Sequence, residues 1–98
     1  MMLESSIERA LVRELRVIDP RILVLKFTVR GQAGFHDRLI LLPGAIALYV
    51  ELKRPGETPR KLQTYRNGQI GRLGFTTAVV DSREAIDGFM AFVRKVLG

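Results

Sequence analysis

Nothing constrains this chain more than residues 45–53, Ala-Ile-Ala-Leu-Tyr-Val-Glu-Leu-Lys, an apolar run broken only near its end by Glu51 and Lys53. In an extended strand, Ile46, Leu48, Val50 and Leu52 point one way, while Tyr49, Glu51 and Lys53 point the other. An ionised group inside such a run costs several kcal/mol if it is buried without a partner, so Glu51 asks for a counter-charge or a job. A strand end emerging into water with a surface ion pair is the plain alternative. The short apolar segment 38–42 and the turn Pro43-Gly44 stand just before this run, which predicts an antiparallel hairpin. Pairing across that turn carries Asp37 towards Glu51. Two converging carboxylates repel each other, whereas a hard divalent cation such as Mg²⁺ or Mn²⁺ takes oxygen ligands and binds both.

Around the hairpin the apolar pattern changes period. Ile7, Leu11, Leu15 and Ile18 recur at helical spacing and predict an amphipathic helix over residues 4–16, ended by Asp19-Pro20. Residues 22–29 read as a strand, followed by a loop at 30–34 whose two glycines permit unusual backbone angles. After the break at 54–57, Thr58 can cap a helix with Pro59 in its first turn, running to about Leu73 and stopping at Gly74. Residues 75–80 form a buried strand. Asp81, with Glu84 three residues on, matches a capping box for a last helix with Ile86, Phe89, Met90, Val93 and Leu97 on its core face. The order α-β-β-β-α-β-α, without repeat or linker, predicts a single α/β domain over residues 1–98, a mixed sheet flanked by helices.

With 98 residues, 47% of them hydrophobic, the chain has core enough for one compact domain that must carry the whole function. So small a domain gains from pairing with a second copy, which favours a homodimer. Sixteen Lys and Arg against ten Asp and Glu give a formal charge of +6, which suits a polyanionic partner. The absence of cysteine excludes disulfides, thiolate zinc sites and cysteine catalysis, and a single histidine excludes a multi-histidine metal site. No apolar run approaches the roughly 20 residues that cross a bilayer, and the N-terminus lacks a signal-peptide core, so the expectation is a cytoplasmic protein with no membrane partner.

The first helix offers a third carboxylate. Relative to Ile7, Leu11 lies near ~40° and Leu15 near ~80° around the axis, which puts Glu4 at ~60°, inside the apolar stripe and facing the sheet, and Glu8 at ~100°, on its rim. Glu14 also falls in the stripe, but it stands about 15 Å further along the helix than Glu4, so at most one of those two reaches a given site. Glu4 or Glu8 is the candidate.

Gly34-Phe35-His36-Asp37-Arg38, then Glu51-Leu52-Lys53-Arg54-Pro55-Gly56, then Gln63, Gly74-Phe75 and Val79-Val80-Asp81-Ser82, in that order and spacing, resemble the VRR-NUC domain of the PD-(D/E)XK nuclease superfamily over nearly the whole chain. Its small stand-alone members, phage-encoded or bacterial, are similar to Holliday junction resolvases. The resemblance implies a restriction-endonuclease-like fold and a divalent-metal-dependent DNA endonuclease acting on branched DNA in replication, recombination or repair. It implies that Asp37, Glu51 and the Leu52 backbone carbonyl hold Mg²⁺ or Mn²⁺, that Glu4 is the helix carboxylate, reaching the metal through water, and that Lys53 positions the attacking water. Gln63 matches the glutamine that braces the active site, and Lys26 matches a basic position that contacts phosphate. His36 departs from the pattern by replacing the usual proline before the aspartate, and it reads as a turn residue. Arg30, Arg38, Arg54, Arg60 and Lys61 are further candidates for gripping DNA phosphates. The rival reading is a catalytically inert basic DNA-binding module.

Overall fold

Ile7, Leu11 and Leu15 line the buried side of the first helix, α1 (Glu4–Ile18), in the computed structural model, which describes residues 3–27, 37–55, 57 and 60–98. The backbone leaves the helix at Asp19, whose N–H still reaches the Leu15 carbonyl, and Pro20 forbids a further turn. Four strands follow in the sheet order β1-β2-β3-β4: β1 (Leu23–Lys26), β2 (Arg38–Leu42), β3 (Ile46–Leu52) and β4 (Thr76–Val80). The pairs β1–β2 and β2–β3 are antiparallel. β3 and β4 run parallel, which requires the crossover supplied by helix α2 (Lys61–Arg72), and helix α3 (Arg83–Leu97) closes the chain. The expected α/β order and mixed sheet are the observed ones.

One face of the sheet carries the core. Ile40, Leu42, Leu48, Val50, Leu52 and Val80 meet Ile7, Ala10, Leu11 and Leu15 of α1 and Ile86, Phe89, Met90 and Val93 of α3. Glu14 does not enter this core: its carboxylate takes two hydrogen bonds from Arg83, at 2.6 and 2.8 Å, and ties the two helices together at their rim. Helix α2 packs against β4 and buries only Ile70, apart from the main cluster.

Several boundaries differ from the sequence expectation. The hairpin's last pair is Leu42 with Ile46, so Ala45 belongs to the turn, where it takes φ 62° beside Gly44 at φ 88°. The cap of α3 is Ser82, whose Oγ accepts from the Ala85 N–H at 3.1 Å; Asp81 comes one residue too early, directly after the last strand residue. Helix α2 begins at Lys61 with Arg60 at the N-cap, and Thr58 and Pro59 lie outside the described residues, as does the predicted loop at 30–34. It ends as predicted, with Gly74 at φ 95° just past Leu73. Residues 75–79 are only partly covered, because β4 is an edge strand and α2 shields it lightly.

Candidate active site

The hairpin register does most of the work of assembly. Arg38 pairs with Val50, and one further step along the same ladder sets Asp37 opposite Glu51, on the sheet face turned away from the core. On its other side β2 also extends to Asp37, whose carbonyl accepts from the Phe27 N–H at 2.9 Å and so continues the β1–β2 pairing. Its carboxylate is pinned to β3 as well: Oδ1 accepts from the Leu52 N–H at 3.1 Å.

Glu51 is 2% exposed, and it is the buried charged residue among those described. Lys53 Nζ stands 3.9 Å from Glu51 Oε1, while Glu51 Oε2 is buried without a hydrogen-bond partner. Burial raises the Glu51 pKa above the ordinary carboxylate value; Lys53 and Arg60 pull it down, and Asp37 and Glu4 push it up. Two acidic and two basic side chains therefore act on this one carboxyl group. Asp37, Glu51 and Lys53 are brought together at the end of the β2–β3 hairpin.

Glu4 is exposed and not covered, because burial along α1 starts only at Ile7. It borders a cleft of about 330 Å³ with Ser5, Glu8, Lys26, Asp37 and Arg38. Glu8 is engaged elsewhere: Arg38 Nε and Nη2 reach its two oxygens at 3.2 and 2.7 Å, and those bonds hold the Glu8 pKa below its ordinary value against the opposing effect of burial. Arg38 also donates to the Asp37 carbonyl at 2.8 Å, and its side chain is 13% exposed. It is a strut between α1, β2 and the Asp37 backbone. Residue type alone marks such an arginine as a phosphate contact; the α1 crossing that buries it is a tertiary feature with no local signal.

Gln63 Oε1 accepts from the Arg60 N–H at 2.8 Å and so fixes the start of α2. Arg54 is exposed and paired with Glu57 at 2.8 Å. Lys26, Arg60 and Lys61 are exposed, and Arg30 and His36 lie outside the described residues.

The donor set is all oxygen, which suits Mg²⁺ or Mn²⁺. The unpartnered Glu51 oxygen beside a second carboxylate is what such an ion would satisfy. Among the described residues no group of three His, Cys, Asp or Glu is placed to hold a metal. Asp37 and Glu51 would thus have to be completed by backbone oxygen, water and substrate, as is usual for Mg²⁺.

No protein-family model matches the chain. It is 38% identical over 81 residues to "Putative nuclease p44" of Acyrthosiphon pisum secondary endosymbiont phage 1, an alignment covering 83% of this chain and 85% of that one. A solved structure described as a VRR_NUC domain superposes with a TM-score of 0.81 at 22% identity, covering 90% of this chain and 94% of the other. No helix among the described residues is long and apolar enough to cross a membrane.

Proposed function

Because the chain belongs to the family of the phage nuclease p44 and carries the VRR-NUC fold, we propose that it is a divalent-metal-dependent endonuclease hydrolysing DNA phosphodiesters. The observation that carries this reading is the buried Glu51, with one oxygen unpartnered, next to Asp37 and Lys53.

Asp37, Glu51 and the Leu52 carbonyl are the groups that would hold such an ion, and Glu4, on the rim of the cleft, would assist through water. Bound there, Mg²⁺ or Mn²⁺ would acidify water and offset negative charge on the phosphate. Lys53, fixed at one end by its N–H bond to the Val80 carbonyl and directed at Glu51, orients the attacking water and steadies the charge that develops on the phosphate. The water oxygen bonds to phosphorus as the ester P–O bond breaks; the water gives up its proton to solvent, and the departing alkoxide takes one from solvent to leave as a free hydroxyl end. Gln63 acts at one remove by anchoring the N-terminus of α2. Lys26, Arg54, Arg60 and Lys61 hold flanking phosphates without reading bases, whereas Arg38 is committed to Glu8. Shape, in this reading, decides the substrate: branched DNA such as a four-way junction, cut in pairs by a homodimer.

The test is incubation with labelled junction, flap and linear duplex DNA in Mg²⁺, Mn²⁺ or EDTA. Cleavage is expected only with the metals and is expected to fall by at least about 100-fold in Lys53→Ala, with DNA affinity retained. Full cleavage by Lys53→Ala, or binding without cleavage by the wild type, would overturn the reading.

A further inference from the structure

Helix α2 differs from the other two in its charge. The acids of α1 and α3 engage arginines, as in Glu8 with Arg38 of β2, Glu14 with Arg83 and Asp87 with Arg83. α2 has no acidic residue at all, and no carboxylate of the described residues pairs with Arg60, Lys61 or Arg72. Around the axis, Lys61, Tyr65 and Arg72 fall within roughly 40° of one another and point away from the buried Ile70. Tyr65 is 56% exposed, with the Arg66 guanidinium 5.6 Å from its ring centre. A Cβ added at Gly68 would meet Arg72 Nη1 at 3.3 Å, so the guanidinium of the exposed Arg72 lies back along the helix beside the bare glycine.

We propose that this outward face is a docking ridge for the sugar-phosphate backbone of one DNA strand as it leaves the cleavage site, with Lys61 and Arg72 on phosphates and Tyr65 against a sugar or base. The occupant is identified by charge and by place. An acid-free, cationic surface with an exposed aromatic ring matches a polyanion that also offers flat faces. The ridge lies on the crossover that leaves β3 just past Glu51 and Lys53, and it runs about 16 Å from Lys61 to Arg72, about five base-pair steps of duplex. The inference rests on the nuclease reading only for the choice of DNA as occupant, and it extends the proposed phosphate grip from Arg60 and Lys61 to Tyr65 and Arg72.

The experiment measures binding of the full chain to a fluorescein-labelled duplex in EDTA, by anisotropy, over a range of salt. Lys61→Ala/Arg72→Ala should flatten the slope of log affinity against log salt by about 1.8, roughly 0.9 for each phosphate that is no longer neutralised. Tyr65→Ala should weaken binding at least about fivefold with little change in slope. Arg94→Ala/Lys95→Ala, which removes the same charge from the exposed last turn of α3, should leave the slope unchanged. A wild-type slope in the α2 double variant, an equal flattening in the α3 control, or failure of the wild type to bind the duplex overturns the ridge. Cleavage with α2-independent binding sinks the ridge alone, whereas α2-dependent binding without cleavage sinks the nuclease reading alone.

Discussion

At the scale of single residues, Glu51 is a buried carboxyl group with one oxygen left unpartnered. Its pKa is raised in the fold chiefly by burial, so the folded state holds its proton more tightly than the unfolded chain. Such a carboxyl favours the fold at low pH, and its contribution is lost as pH rises from the unfolded value through the folded one. At neutral pH the ionised group is a burden that only a cation relieves. Glu51→Gln is therefore expected to raise the stability of the metal-free protein by about 1 kcal/mol, or ~4–8 °C in melting temperature, while abolishing cleavage. Thermal melts at pH 7 and pH 4.5 check it, and the gain should shrink at the lower pH. Ala45 shows strain of a different origin: an L-residue at φ 62° pays for its Cβ, so Ala45→Gly is expected to gain about 1 kcal/mol in denaturant unfolding with unchanged activity.

At the scale of elements, α1 is held to the hairpin by one arginine. Arg38 bridges Glu8 and the Asp37 carbonyl, so Arg38→Ala should cost about 2 kcal/mol and loosen Asp37, lowering metal affinity as well as stability. Equilibrium unfolding and metal titration of the variant measure both effects. The hairpin and the motif were legible in the sequence because they are local: alternation along 46–52 and the turn at Pro43-Gly44 fix which side chains share a face. Glu4 was placed on the sheet by helical angle alone, and it is exposed because an angle says nothing about whether anything packs over the first turn. The caps at Ser82 and Arg60 depend on where a preceding strand or loop ends, which composition leaves open by a residue or two. The Arg38–Glu8 and Arg83–Glu14 ties join residues far apart in sequence, and no pattern within either segment announces them.

At the scale of the whole molecule, an antiparallel hairpin carrying two carboxylates is extended by a parallel strand, and that parallel pairing requires the helix between β3 and β4. The same crossover that completes the sheet thus delivers a cationic, acid-free helix to the edge of the site. The core face is filled by α1 and α3, while the opposite face carries Asp37 and Glu51. The central claim is that Asp37 and Glu51 together form a divalent-cation site. Calorimetric titration of the metal-free protein with Mn²⁺ tests it directly. The wild type should bind with an affinity that falls as pH drops towards the raised Glu51 pKa, and Asp37→Ala and Glu51→Gln should each lose that binding; equal binding by either variant would contradict the account.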